Sequence, residues 1–289
     1  MPPKRIAIIG ANGQLGSDLV SEFGKRGHDI VPLNHERMDI GDAEAVRRVL
    51  SETRPDIILN TAAMHNVEAC EADPVAAFRV NALGVRHLAL AAADLDAVLA
   101  HYSTDYVFDG AKQAPYAETD APRPLNAYGN SKLAGEYFVR SLAPRHFVLR
   151  VGAIYGHAPC RAKGGRNFVT TMLALGRERP FLRVVDDEIV SPTPTAAIAG
   201  QSVALCQTEH YGLYHMAARG RCSWHAFAAS IFDLAGIKTD LQVAAPGEFP
   251  AKVPRPAYSA LENAGLARIG LDLMPDWRDG LKQFLDGRS

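Results

Sequence analysis

The sequence predicts an α/β protein with a Rossmann-type, doubly wound parallel sheet and a smaller C-terminal α+β lobe. From Ile6 to Val151, short apolar runs alternate with longer amphipathic ones, a glycine-rich segment follows the first apolar run, and the alternation loosens after Val151. Repeated β-then-α units of this length imply right-handed crossovers. We therefore expect one domain over 1–151 and a mainly separate lobe over 152–289, with the chain free to cross between them more than once.

The elements of the first domain follow from these runs. Continuous apolar runs are typical of parallel strands buried on both faces, whereas apolar residues at helical spacing indicate helices. Asp42 is a helix N-cap candidate, and Arg54-Pro55 ends the helix that follows it. The predicted strands are 6–9, 29–33, 56–60, 97–102 and 146–151. The predicted helices are 13–26, 75–93 and 128–141, with a further helix that is capped by Asp42 and stops before Arg54.

The second lobe is less regular. Its apolar periodicity predicts helices over 168–177, 196–206 and 224–235 and short strands over 182–185 and 213–215. We interpret Trp224 and Trp277 as packing residues.

Composition excludes several classes of function. The 289 residues carry 31 Lys+Arg against 32 Asp+Glu, so the net charge of −1 gives no electrostatic reason to expect a nucleic-acid partner. The four cysteines form no CxxC pair and are expected to be reduced thiols. The apolar run over 6–9 is too short for a signal peptide, and the apolar stretch over 88–100 is interrupted by Asp94 and Asp96. We expect a cytoplasmic protein without membrane contact.

The glycine-rich segment Gly10-Ala11-Asn12-Gly13-Gln14-Leu15-Gly16 joins the first strand to the first helix. Glycines at this spacing allow a tight turn, close approach of a pyrophosphate and packing of the helix on the sheet, and the helix N-terminus favours an anion. The segment could also be a connection that only needs a positive φ. Its place at the first βα turn favours dinucleotide binding.

The end of the second strand bears on which dinucleotide binds. Many NAD sites have a carboxylate there to hold the ribose 2′-hydroxyl, but this chain has Asn34, with Arg37 close by. A 2′-phosphate should therefore be tolerated, and we expect NADPH, with NADH kept as an alternative. Arg37 could equally be a solvated loop charge.

Two further segments carry groups suited to carbonyl reduction. Tyr128 and Lys132 share one helix face at i and i+4, where an ammonium could lower the pKa of the phenol toward working pH. Ser103-Thr104-Asp105 follows a strand at the edge where open α/β folds bind ligands, so a hydroxyl there could polarise a carbonyl. A Ser/Thr turn and an ordinary helix face are the alternatives. Asn60-Thr61-Ala62-Ala63 offers small residues where a cofactor could lie close, and Asn81 is interpreted as a structural amide.

Together these motifs resemble the extended short-chain dehydrogenase/reductase family, and within it the dTDP-4-dehydrorhamnose reductases. The resemblance is carried by three patterns: Gly10-x-x-Gly-x-x-Gly16, Asn60-x-Ala-Ala63 and Tyr128-x-x-x-Lys132. It is densest over 101–136, which reads HYSTDYVFDG, then PYAETD, then PLNAYGNSKLAGE.

The resemblance implies NAD(P)H-dependent reduction of the 4-keto group of a dTDP-linked 6-deoxyhexulose to dTDP-L-rhamnose. Tyr128 would donate the proton, Lys132 would be its electrostatic partner, and Thr104 would polarise the carbonyl. The implied substrate residues are Thr104, Asp105, Tyr128, Ala153 and Arg255. The implied cofactor residues are Gly10, Asn12, Gly13, Gln14, Leu15, Gly16, Asn34, Arg37, Asp39, Ile40, Ala62, Ala63, Tyr102, Tyr128 and Lys132.

Departures from the family pattern keep alternatives open. Related 4,6-dehydratases place a carboxylate where this chain has Tyr106, which favours a reductase. Family members usually carry an aromatic residue after the strand ending at Val151, but this chain has Gly152-Ala153-Ile154, so a reductase of another nucleotide-linked 4-keto-6-deoxy sugar stays open. Some members bind Mg²⁺ at a dimer interface. Asp18 lies near such a position, but we assign no metal ligand set and leave Mg²⁺ and a homodimer open.

A non-catalytic, dinucleotide-binding regulatory subunit is the alternative from another functional class. The family resembles the regulatory β subunit of methionine adenosyltransferase, which shares the reductase fold. The intact set of Thr104, Tyr128 and Lys132 argues for an enzyme.

Overall fold

A computed structural model describes residues 2–160, 164–245 and 247–287 of the chain. Its strands are β1 Arg5–Ile9, β2 Asp29–Leu33, β3 Ile57–Asn60, β4 Val98–Thr104, β5 His146–Val151, β6 Ile154–Tyr155, β7 Phe181–Val184, β8 Ile189–Val190, β9 Thr193–Pro194, β10 Gly212–His215, β11 Cys222–Ser223 and β12 Asp240–Val243. Six of them form one sheet in the order β10-β5-β4-β3-β1-β2, and every pairing within it is parallel. The strand order reverses between β1 and β3, the position at which open α/β sheets bind ligands. The predicted doubly wound sheet is confirmed.

Helices cover both faces of this sheet. They are α1 Gln14–Gly24, α2 Ala43–Thr53, α3 Val67–Ala72, α4 Pro74–Phe78, α5 Val85–Asp94, α6 Ala127–Leu142, α7 Phe168–Glu178, α8 Thr195–Cys206, α9 Trp224–Leu234, α10 Ala264–Arg268 and α11 Trp277–Asp286. One apolar core lies between the sheet and helices α1 and α8. A second lies between the opposite face and helices α2, α5 and α6. Burial of both faces explains why the strands read as continuous apolar runs.

Polar caps fix where several helices begin. The Asp42 carboxylate accepts from the N–H groups of Glu44 and Ala45, so the predicted cap of α2 is confirmed. Asn126 caps α6 by accepting from the N–H of Gly129 at 2.9 Å, and its amide donates to the carbonyl of Pro254 at 2.9 Å. This cap therefore ties the start of α6 to a distant part of the chain.

The predicted helix over 75–93 is interrupted. Between α4 and α5 the backbone forms a π-helical segment, Arg79–Gly84. Within it, the Asn81 side chain accepts from the N–H of Met64 and donates to the carbonyl of Met64 and to Ser131. Single π-helical turns inside α-helices are rare and are frequent at functional sites. The prediction of Asn81 as a structural amide is confirmed.

The second lobe packs around its own core. Helices α7, α9 and α11 enclose this core together with β7, which pairs in parallel with β12. Trp277 is 1% exposed, as expected of a packing residue. Trp224, by contrast, also donates its indole N–H to Glu188 at 3.1 Å.

The chain returns to the first sheet after entering the second lobe. Helix α8 packs on α1, and β10 completes the sheet beside β5. The domain boundary at residue 151 therefore stays a prediction. Helix α8 and strand β10 come from the segment after this boundary but pack with the first sheet.

Cys70, Cys160, Cys206 and Cys222 are all free of disulfides. Among the residues that the structure describes, no helix is long and apolar enough to cross a bilayer.

Candidate active site

The glycine-rich segment forms a tight turn at the carboxyl end of β1. The N–H of Gly13 donates to the carbonyl of Gly10 at 2.9 Å, and Gly10 has a φ of 76°. A Cβ on Gly10 would lie 2.6 Å from the Thr61 hydroxyl oxygen. Helix α1 has no side-chain cap and no acidic residue in its first turn. The helix start is therefore open to an anion such as a pyrophosphate.

Gly16→Ala is expected to damage this turn. A Cβ on Gly16 would lie 2.1 Å from the carbonyl oxygen of Gly10, so the loop backbone would have to move. We expect a reduced nicotinamide dinucleotide to bind roughly tenfold more weakly or worse, which is about 1.4 kcal/mol or more. Fluorescence titration measures this, with Gly24→Ala in the same helix as control, since a Cβ there meets only ordinary contact at 3.9 Å. Equal affinity in both variants would contradict the assignment.

The other residues of the segment have different surroundings. Asn12 is exposed, whereas Leu15 is 5% exposed and belongs to the core under α1. The buried amide of Gln14 donates to the carbonyl of Gly156 at 2.9 Å. Gln14 thus fixes the turn to the segment after β6, and Leu15 can reach a cofactor only through its backbone.

The predicted adenosine-side residues lie at and beyond the end of β2. The Asn34 side chain accepts from the N–H of Arg37, whose own side chain is exposed. The Asp39 carboxylate accepts from the N–H of Gly41 at 2.8 Å and is paired with Arg79 at 2.9 Å. Ile40 is 3% exposed. The end of β2 therefore presents an amide and a guanidinium, and the carboxylate beyond it is already paired.

Ala62 and Ala63 follow β3 and are partly exposed. Thr61 donates its hydroxyl hydrogen to the carbonyl of Ile9 at 2.8 Å, which holds this segment beside the glycine-rich turn. Small side chains at this place leave room next to the backbone.

The hydroxyl groups of Thr104 and Tyr128 meet at the carboxyl end of β4. Thr104 donates its only hydroxyl hydrogen to Asp105 at 3.0 Å, and its oxygen also accepts from the N–H of Tyr106. The Tyr128 phenol lies close enough to the Thr104 hydroxyl for that hydroxyl to lower its pKa. Thr104 would have to turn away from Asp105 to polarise a carbonyl.

The Tyr128 phenol stays protonated. Burial raises its pKa above the usual value, with a smaller opposing effect from Thr104. In the protein without ligands the net shift of this pKa is therefore upward, because burial outweighs any stabilisation of the phenolate. The lysine ammonium bonds elsewhere: Nζ of Lys132 donates to the carbonyl of Tyr102 at 2.6 Å.

Tyr102 does not present its ring to this site. The phenol is 5% exposed and donates to Ser202 of α8 at 2.7 Å, on the opposite face of the sheet. Successive side chains of a strand point to opposite faces, so Tyr102 lies on the α1 side. Only its carbonyl takes part, by holding Lys132.

Asp105 is a buried carboxyl group in close contact with Gly152. A Cβ on Gly152 would lie 2.9 Å from the Asp105 carboxyl carbon, and the Ser259 side chain is close enough to lower the pKa of this carboxyl group. Burial raises the pKa of Asp105 to about 6, although Ser259 and Thr104 oppose the shift. We did not predict Gly152 as a site residue, and its only sequence signal is a glycine directly after a strand.

The raised pKa of Asp105 predicts an acidic limb in the pH profile. Since burial disfavours the anion, the carboxyl group is protonated below about pH 6 and loses its negative charge toward the substrate. We expect kcat/KM to fall as pH drops through about 6 and expect Asp105→Asn to lack this limb. Steady-state rates from pH 5 to pH 9 measure it, with Asp109→Asn as control because Asp109 lies in a loop where its pKa is lowered. A limb unchanged in Asp105→Asn would contradict the assignment.

Arg255 and Ala153 border the same region. Arg255 forms an ion pair with Glu68 and has a buried Nε without a hydrogen-bond partner in the described part of the chain. Its charge also acts on Tyr106, whose ring meets Tyr128 edge-on at 5.8 Å. Ala153 is partly exposed and has a φ of 44°. The structure thus brings Arg255 near Tyr128 through Tyr106.

No metal ligand set emerges at Asp18. Its carboxylate accepts the hydroxyl hydrogen of Thr195. Within residues 2–160, 164–245 and 247–287, no group of three His, Cys, Asp or Glu side chains is arranged to hold a metal ion.

A buried ion pair lies beneath the site. Glu136 of α6 accepts from Arg150 of β5 at 2.9 and 2.7 Å and from the Ser103 hydroxyl at 2.5 Å. Both charged side chains are at most 2% exposed. This contact fixes the helix that carries Tyr128 and Lys132 to β4, which ends at Thr104, and to β5, which ends just before Gly152.

Known proteins resemble the chain over its full length. The family model "RmlD substrate binding domain" matches residues 4–289. The spore coat polysaccharide biosynthesis protein SpsK of Bacillus subtilis is 36% identical, with 99% of this chain and 98% of that protein covered. The dTDP-4-dehydrorhamnose reductase of Salmonella typhimurium is 36% identical over 97% of this chain and 96% of its own. A crystal structure of the Bacillus anthracis dTDP-4-dehydrorhamnose reductase in complex with NADP is 39% identical, with a TM-score of 0.94 and 99% of each chain covered.

Proposed function

Since the chain belongs to the RmlD substrate binding domain family, we propose that it reduces the 4-keto group of dTDP-4-dehydro-L-rhamnose to dTDP-L-rhamnose with a nicotinamide dinucleotide. The relatives named dTDP-4-dehydrorhamnose reductase support this substrate. The observation that carries the proposal is the placement of the Tyr128 and Thr104 hydroxyls close to each other at the ligand-binding edge of the sheet.

Tyr128 gives its phenolic proton to O4 of the sugar as the carbonyl is reduced. A phenol with a raised pKa holds this proton until a strong base, the developing alkoxide, lies beside it. As the proton leaves, the hydroxyl of Thr104 can turn from Asp105 to the phenolate oxygen and stabilise its charge. Asp105 binds a sugar hydroxyl.

Lys132 lies one helical turn after Tyr128 on the same face of α6. The bond to the carbonyl of Tyr102 fixes Nζ and leaves further N–H groups for the ribose of the dinucleotide. Once the phenol has lost its proton, the nearby ammonium also stabilises the phenolate.

The glycine-rich turn fits a dinucleotide pyrophosphate, because a Cβ at Gly10 or Gly16 would fill the space close to the backbone. Gly10, Gly13 and Gly16 would hold the pyrophosphate of the reduced dinucleotide, which would supply the hydride for reduction of the sugar carbonyl. We propose NADPH as the preferred form, because the end of β2 offers Asn34 and Arg37 and the Asp39 carboxylate is paired with Arg79.

Arg255 and Gly152 lie on the side of the site where we propose that the sugar nucleotide binds. We propose that the Nε–H of Arg255, which has no hydrogen-bond partner among the described residues, donates to an oxygen of the sugar-nucleotide diphosphate. A cytoplasmic location remains our prediction.

A panel of nucleotide-linked 4-keto-6-deoxy sugars, each with NADPH and NADH, tests this function. The keto-sugars are generated in place by a coupled dehydratase and epimerase. We expect the highest kcat/KM with dTDP-4-dehydro-L-rhamnose and NADPH. Higher kcat/KM with another keto-sugar would reassign the substrate, and NADPH binding without turnover of any sugar would favour a regulatory subunit.

A further inference from the structure

Lys132 lies against the imidazole of His101, a polar group that has no part in the proposed reaction. Its Nζ is 3.5 Å from Nε2 of His101, a residue of β4. His101 is 0% exposed and Lys132 is 2% exposed, so water does not moderate this contact. The protonation of the imidazole therefore decides whether it attracts or repels the ammonium.

Asn60 determines where the imidazole carries its hydrogen. The side-chain oxygen of Asn60 accepts from the N–H of Ala62 at 3.1 Å, which turns its NH₂ group toward Nδ1 of His101 at 3.0 Å. An amide nitrogen only donates, so Nδ1 is the acceptor. Burial, with a smaller effect from Lys132, lowers the pKa of His101 well below its usual value, so the ring is neutral. Its hydrogen must then be on Nε2.

The Nε2–H group of His101 thus faces the lysine nitrogen. An ammonium has three donors and no acceptor, so it cannot hydrogen-bond to this N–H, whereas a neutral amine can accept from it. Burial lowers the pKa of Lys132 to about 8. Glu136 on the same helix opposes this shift, but its oxygens are bound to Arg150 and Ser103.

The hydrogen-bond acceptor of Lys132 on the sheet side is the carbonyl of Tyr102 on β4. The Asp105 carboxylate lies beyond Thr104.

We propose that Asn60 and His101 are positioning residues that keep the imidazole hydrogen on Nε2, so that Lys132 finds no acceptor in His101 and directs its remaining N–H groups into the cleft. If the imidazole carried its hydrogen on Nδ1, its Nε2 lone pair would bind the ammonium and draw it away from the cleft. The inference rests on the proposed function only for the role of Lys132 toward the dinucleotide.

Nitrogen NMR of the full-length protein without ligands tests the first step, because protonated and unprotonated ring nitrogens have distinct ¹⁵N shifts. We expect the His101 resonances, assigned by their loss in His101→Gln, to report hydrogen on Nε2 from pH 6 to pH 9. If the ring instead carries its hydrogen on Nδ1 in the protein with Asn60 intact, the proposal is overturned.

Asn60→Asp tests the second step. The carboxylate would accept a hydrogen from Nδ1, which leaves the Nε2 lone pair for Lys132. We expect the titration midpoint of Lys132, followed by its side-chain NMR resonances, to rise by about one pH unit or more, a tenfold change in proton affinity. The KM for NADPH should rise more than kcat falls, because Lys132 is drawn from the cleft.

His215→Gln is the matched control, since His215 is equally buried but its Nδ1 bonds the carbonyls of Tyr116 and Glu262, away from Lys132. We expect an unchanged Lys132 midpoint there. An unchanged midpoint in folded Asn60→Asp would overturn the inference. These NMR results do not depend on turnover, so loss of the proposed reductase function would be seen separately in the substrate panel.

Discussion

Tyr128→Phe is expected to lower kcat for keto-sugar reduction by about 10²–10⁴-fold, the usual contribution of a positioned acid. Phenylalanine keeps the ring and its edge-on contact with Tyr106 but has no hydroxyl proton for O4. The affinity for NADPH should change much less, because the phenol is proposed to act on the sugar. Single-turnover and steady-state rates measure the loss.

Tyr137→Phe is the matched control for this experiment. Tyr137 lies on the same helix, but its side chain is 54% exposed and outside the cleft. We expect the wild-type rate in this variant. A Tyr128→Phe enzyme as fast as Tyr137→Phe would remove Tyr128 from the chemistry.

Arg150→Leu is expected to lower the free energy of unfolding by about 3–5 kcal/mol. The substitution leaves the Glu136 carboxylate buried with only the Ser103 hydroxyl as a hydrogen-bond partner in the described structure. An unpaired charge in the interior is far more costly than the loss of an exposed ion pair. Urea unfolding followed by circular dichroism measures the change.

Two further variants separate charge from volume. Arg150→Leu combined with Glu136→Met removes both charges, and we expect it to recover much of the lost stability. Arg47→Leu, which removes an exposed partner of Glu44 on α2, should barely change stability. Similar losses from Arg150→Leu and Arg47→Leu would show that the buried pair is not the anchor of α6.

The sheet could be predicted from the sequence because the residues within each strand and within the helix that follows it are enough to predict both elements. Apolar runs such as Ile6–Ile9 mark strands buried on both faces, and the cap Asp42 marks a helix start. The interruption at Asn81 could not be predicted, because it depends on a bond to Met64, which is distant in sequence. The edge strand β10 had no local signal for its place beside β5.

The sequence was enough to predict which residues belong to the candidate site, but it was not enough to predict which of them are in contact. Thr104 and Tyr128 stood out by motif, and the structure brings their hydroxyls together. The approach of Gly152 to Asp105 depends on two strand ends meeting in space. The ring of Tyr102 lies on the opposite face of the sheet because side chains alternate along β4, which a motif match does not reveal.

Deuteride transfer tests the central claim most directly. NADPH carrying deuterium at the transferable C4 position of the nicotinamide is mixed with dTDP-4-dehydro-L-rhamnose and the protein, and the product is analysed by mass spectrometry and NMR. We expect dTDP-L-rhamnose with deuterium at C4 of the sugar. Unchanged keto-sugar, or a reduced sugar without deuterium at C4, would contradict the assignment of this chain as a 4-keto-sugar reductase.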